Sequence, residues 1–220
     1  MLLLKVNRTS CFSRIVILLL SMVVVACSGG SKEKTQFRDT ARGVWQTDCL
    51  NLGLQREYSR TSLTVDETSF EFQNDFFEDP LCRRPTLSLS TTGTLIEHKS
   101  TRTEDGIALS AIDFSLEQVV LSVSTQATAD RNNAAALCGK FDWQPDVIVD
   151  VSNCSDIAGS TVPRTDFDIY STGTAVSSDG ERREVIYTGV MPGNTEETRP
   201  AMPDIFTPYW LVAPLPQPSP

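Results

Sequence analysis

The segment Phe114-Ser115-Leu116-Glu117-Gln118-Val119-Val120-Leu121-Ser122-Val123 decides the fold class. Near both ends its apolar residues fall at every second position, the spacing of a strand with one buried and one solvated face. The parity changes in the middle. Phe114 and Leu116 share one face, whereas Val119, Leu121 and Val123 share the other. A strand that keeps its core face through such a change needs a bulge or a turn near Glu117-Gln118.

Shorter runs on either side repeat the period of two. Leu63 and Val65 alternate with Ser62, Thr64 and Asp66; Phe70 and Phe72 alternate with Ser69, Glu71 and Gln73. Leu87 and Leu89 recur among serines, Ile107 and Leu109 follow, and further strands are expected at 43–49, 166–176 and 183–190. Turn chemistry separates them at Thr92-Gly93, Glu104-Asp105-Gly106, Ser178-Asp179-Gly180 and Pro192-Gly193-Asn194. Only residues 132–137, NNAAAL, read as helix, for one or two turns. About eight hairpin-linked antiparallel strands with one short helix imply an all-β domain, either a barrel or a closed sandwich.

The amino terminus reads as an address. Lys5, Arg8 and Arg14 precede an apolar run from position 15 to 26, broken only by Ser21. A helix of that length covers about 18 Å, short of the roughly 30 Å of a bilayer core, and suits the apolar stretch of a secretory signal. The run ends Val24-Val25-Ala26-Cys27, which resembles the lipobox of bacterial lipoproteins. That resemblance implies a signal peptide over 1–26 and a Cys27 carrying acyl chains such as palmitate, which would hold the protein on a membrane. Ser28, where Asp would signal retention, implies the outer membrane, at its periplasmic face or at the cell surface. Residues 27–40 then form the lipidated Cys and a polar tether, 41–212 a single β-domain, and 213–220 a disordered tail with four prolines.

The chain has 19 basic and 28 acidic side chains, a net charge of −9, and cleavage after Ala26 removes only basic ones. Such a surface argues against nucleic acid as a partner and is repelled by anionic headgroups, so the acyl anchor must do the holding. Cys11 lies in the signal and Cys27 is taken by lipid, leaving Cys49, Cys82, Cys138 and Cys154 for an oxidising compartment. Three pairings exist; Cys49–Cys82 with Cys138–Cys154 is favoured because each pair brackets one continuous stretch. No Cys-x-x-Cys spacing occurs and the one histidine, His98, is distant in sequence, so no metal is expected. Asp142, Asp146 and Asp150 recur every fourth residue, but Pro145 breaks the helix that would align them, and they read as solvated acids.

Gly43-Val44-Trp45 resembles the Gly-x-Trp motif that opens the barrel of lipocalins and related calycins. The resemblance implies a lipocalin-like barrel with Trp45 plugging the closed end and Arg199 stacked over its ring. The pattern GVWQTDC, a later LCG-x-x-x-W and a closing E-x-T-R-P is also similar to that of small envelope lipoproteins. No nucleophile or phosphate-binding motif accompanies His98, which reads as an exposed strand-end residue, so neither an enzyme nor a cofactor is expected. Phe70, Phe72 and Phe114 either line a cavity for a small apolar ligand or lipid, or fill it. The alternative is an interaction lipoprotein that contacts another envelope protein through loops 74–84 and 125–137. Phe76-Phe77 is then the suspect spot, since neighbouring strand residues point to opposite faces and one of the two would be exposed.

Overall fold

A computed structural model describes residues 41–53, 57–102, 108–157 and 159–215. The signal peptide, Cys27 and its tether, Ile107, the Glu104-Asp105-Gly106 turn and the final five residues lie outside the described residues. Among the described residues ten strands form one antiparallel sheet. They are β1 (Gly43–Gln46), β2 (Leu50–Asn51), β3 (Tyr58–Asp66), β4 (Ser69–Phe77), β5 (Pro85–Arg102), β6 (Ala108–Val123), β7 (Ile148–Asp150), β8 (Arg164–Val176), β9 (Arg182–Thr188) and β10 (Tyr209–Pro214). One helix, α1 (Gln126–Ala134), follows β6.

The order around the sheet is β1-β10-β9-β8-β6-β5-β4-β3, and β1 also pairs with β3, so eight strands return on themselves as a ring. Neighbours in sequence are neighbours in space, apart from the short β2 and β7. The ring is narrowest where β9 meets β10, with two residue pairs, Ile186 with Tyr209 and Val185 with Trp210.

The parity change in β6 is a bulge. Thr92 of β5 pairs with Gln118 and Gly93 with Leu116, which leaves Glu117 unopposed. Ile112, Phe114 and Leu116 are buried before it and Val119, Leu121 and Val123 after it, all on one face. Thr92-Gly93 is therefore not a turn but the middle of the 18-residue β5. Its glycine serves the bulge, because a Cβ there would lie 1.9 Å from the Ser115 carbonyl oxygen. The runs at 87–89 and 109–123 likewise belong to two long strands, β5 and β6.

Between β6 and β8 the chain makes an excursion over 124–163. Helix α1 begins upstream of the expected 132–137, because the Thr125 hydroxyl accepts the Thr128 N–H and caps it there. It ends as Ala136 and Cys138 take left-handed backbone angles. Asn133 both donates to and accepts from the Trp143 backbone, and Trp143 is buried beneath the excursion. The Cys138–Cys154 disulfide staples this segment, and Cys49–Cys82 ties the β1–β2 loop to the β4–β5 loop. Asp79 organises the latter loop by accepting N–H groups from Leu81, Arg83 and Arg84. Burial opposes its charge, but those three donors and the Arg84 charge hold its carboxyl below the ordinary range.

Gly93→Ala should lower stability by about 3 kcal/mol, as overpacking against fixed backbone does. Gly173→Ala, with nothing within 4 Å of the added methyl, should stay within about 0.5 kcal/mol of the parent. Urea midpoints of the two variants check the contrast.

Candidate functional site

Strand pairing brings an unexpected set of side chains inside the ring. Ile112 pairs with Asp168, Phe114 with Asp166 and Leu116 with Arg164. Directly paired residues share a face, so the charged set of β8 lies on the same side as the buried apolar set of β6. All of these but Ile112 line a cleft of about 380 Å³. Phe72, Phe114 and Leu116 make its apolar floor, with Thr61, Asn74 and Thr91 from β3–β5 and Asp204 and Tyr209 from the segment after β9 also lining it.

The floor is rigid. The rings of Phe70, Phe72 and Phe114 meet edge-on at centroid distances of 4.8 to 5.4 Å, a preferred aromatic geometry. Phe72 and Phe114 reach the cleft, whereas Phe70 is packed into the core and does not line it.

The charges are individually held. Arg164 grips both oxygens of Asp166, Nε to Oδ1 at 2.8 Å and Nη2 to Oδ2 at 3.1 Å, and also donates to the Thr161 and Gly159 carbonyls. Asp168 is only 5% exposed, and its Oδ1 accepts N–H groups from Ile169 at 2.7 Å and Gly189 at 3.0 Å. A Cβ on Gly189 would lie 2.5 Å from that same oxygen and 2.4 Å from Pro200 Cγ, so only a glycine lets the backbone come this close. Burial pushes the Asp168 carboxyl up to about 6, against the two N–H donors and the Arg199 charge. Burial and the charges of Asp168 and Asp204 also push the Tyr209 hydroxyl up to about 12.

The mouth has an apolar rim. The bridge between Gly189 and Pro203 and the Asp204 N–H to the Thr188 carbonyl, 2.7 Å, set segments 189–192 and 200–208 side by side. Val190, Met191, Met202, Ile205 and Phe206 on these segments are 59 to 88% exposed.

The residues singled out by sequence fall elsewhere. Trp45 is fully buried, pairs with Leu63 and Leu211, and donates its indole N–H to the Ala41 carbonyl at 2.7 Å. Arg199 does not cover it. Its guanidinium lies 5.3 Å over Phe167 and donates to the Ile112 and Asp168 carbonyls and to Asp113 Oδ1. The reason is local: Gly193 exchanges both backbone hydrogen bonds with Phe167, which docks the 193–200 loop against β8. His98 binds the other oxygen of Asp113 at 2.6 Å, on the face opposite the cleft.

Phe76 and Phe77 are on β4, not in a loop, and neither is exposed. Pairing of β4 to Phe77 carries the two rings into the sheet: Phe76 opposes Leu87, and Phe77 lies under the Arg60 guanidinium. Loop 125–137 is mostly α1. Asp142, Asp146 and Asp150 are not gathered into a ligand group among the described residues; Asp150 is engaged by Gln118 and Ser152. The sequence reading missed the cleft's charged wall, whose signal was Arg164, Asp166 and Asp168 at alternate positions of a strand.

Comparison with known proteins finds no matching family model and no matching curated protein.

Because the folded state raises the Asp168 carboxyl from 3.8 to about 6, it holds a proton between those values that the unfolded chain has lost. Stability therefore falls as pH rises through this window, by about 2–3 kcal/mol, and the penalty persists above it. Asp168→Asn keeps the acceptor for both N–H groups and removes the charge. Its urea midpoint should exceed the parent's at pH 8 and match it at pH 4.

Proposed function

We propose that this protein is a lipid-anchored cell-envelope binding module, non-enzymatic, that holds one small amphipathic ligand inside its β-ring. The observation that carries the reading is the half-open cleft of about 380 Å³, with an aromatic floor on one side and hydrogen-bonding groups on the other. That volume sits at the lower end of the roughly 300–1,000 Å³ of small-molecule sites. A purely apolar lipid would leave the polar wall of Asn74, Asp166 and Asp168 unmatched, so the ligand has an apolar body and a polar head. Within the cleft Arg164 is matched to Asp166 and Asp168 is oriented by backbone N–H groups, and His98 lies outside it. The anchor on Cys27 and an outer-membrane location rest on the lipobox residues Val24-Val25-Ala26-Cys27. A lipocalin-like organisation belongs to the same reading. The eight-strand ring in sequence order, opened by Gly43-Val44-Trp45, supports it.

A second reading has one observation behind it. The rim of Val190, Met191, Met202, Ile205 and Phe206 is the kind of exposed apolar surface that contacts another protein. In that case the envelope partner would meet this rim and not Phe76-Phe77.

Thr91 faces the cleft from β5, and Thr91→Trp fills it without touching the rim. In native mass spectrometry the parent, purified from the envelope, should carry a bound small mass, reduced at least tenfold in the variant. A parent with no adduct, even after exposure to envelope extract, would turn the reading towards the rim. Cys27→Ser should move the protein from the membrane pellet to the soluble fraction; a variant still pelleting would sink the anchor.

A further inference from the structure

We infer that the ligand of the cleft is a small organic cation, a protonated amine whose apolar body rests on Phe72 and Phe114 while its ammonium meets the Asp168 carboxylate. This rests on the cleft-binding reading above and names the chemistry of that ligand.

Charge is the first argument. Four charged residues line the cleft, and the only cation among them, Arg164, is matched by its two-pronged bond to Asp166. Asp168 and Asp204 remain without a cation inside. The neighbouring cations do not reach in. Arg199 is spent on Asp113 and two backbone carbonyls, and His98 is on the same Asp113.

The second argument is the state of Asp168. It is 95% removed from solvent, and Oδ1 is fixed by two backbone N–H groups, one of them from a glycine whose position tolerates no side chain. Its other oxygen, Oδ2, makes no hydrogen bond among the described residues. A buried carboxylate oriented by backbone donors and left with an open oxygen is a preformed acceptor for N⁺–H.

The aromatic floor is the third. Phe72 and Phe114 offer ring surface beside that carboxylate, and aromatic rings attract cations through their quadrupoles. Competing chemistries fare worse. A carboxylate-headed ligand would bring a third negative charge beside Asp168 and Asp204. A neutral ligand would leave the buried Asp168 charge with only its two backbone N–H donors and the Arg199 charge outside the cleft to offset its burial.

The test uses the full mature protein, detergent-solubilised, with 2-phenylethylamine, 2-phenylethanol and 3-phenylpropanoate as probes in titration calorimetry. The amine should bind at least tenfold more tightly than the alcohol, and the carboxylate not measurably. Asp168→Asn should lose that preference while still binding the alcohol. Asp204→Asn, at the exposed side, should weaken the amine two- to fivefold and guards against a misfolded first variant. Equal or tighter binding of the alcohol or carboxylate overturns the cation while leaving a binding cleft standing. A preference that survives in Asp168→Asn overturns it too, assigning the effect to the acidic surface at large. Binding of none of the three overturns it as well. The native adduct and its loss in Thr91→Trp then judge the cleft separately.

Discussion

The bulge that leaves Glu117 unopposed, between the Thr92–Gln118 and Gly93–Leu116 pairs, is the constraint on which the rest of the ring depends. One unopposed residue lets β6 present Phe114 and Leu116, then Val119, Leu121 and Val123, to a single interior. It also marks where β6 changes partner. Ahead of the bulge, Ser110 to Leu116 pair with β8; beyond it, Val120 to Ser122 pair with β7. The strand therefore runs along two neighbours in succession. Strand β8 starts at Arg164, level with Leu116, so its first interior positions fall at the edge of the ring's packed core. That is where three charged side chains can enter the interior and still leave room for a cleft.

Charge inside a β-ring is costly unless each group finds a partner. Here the partners come from different sources. Asp166 takes a guanidinium two residues away on its own strand. Asp168 takes backbone N–H groups, one from its neighbour and one from the segment after β9. The edge-on Phe70, Phe72 and Phe114 set supplies apolar mass below them. The core beneath the cleft is thus firm, and the polar groups above it are held in place without filling the space between them.

Much of this was legible in the chain. Period-two alternation marked most of the large strands, and the parity slip at Glu117-Gln118 required a bulge or a turn, of which the structure has the bulge. The cysteine pairs followed from the stretches they bracket, and the structure has both. Glycine misled where its reason lay across the sheet. Thr92-Gly93 looks like a turn, and only the Ser115 carbonyl behind it explains the missing side chain. The cleft was hidden for a related cause. In Arg164-Thr165-Asp166-Phe167-Asp168-Ile169, alternation alone turns Phe167 and Ile169 inward. The register with β6 turns the charged set inward, and the 193–200 loop with Arg199 covers Phe167 on the outside. A covering loop far along the chain leaves no trace in a local pattern.

The closure of the ring by β1 and β10 joins the first described strand to the last. A chain made from its amino terminus acquires β1 early, against β3, and must then wait with one edge of β1 bare until residues 209–214 are complete. The free edge of β9 waits with it. Until β10 docks, the sheet is open with two unpaired borders, the form most prone to pairing with a neighbour of its own kind. The six-residue β10 converts that sheet into a vessel, so the chain has no interior to occupy until residues 209–214 are in place.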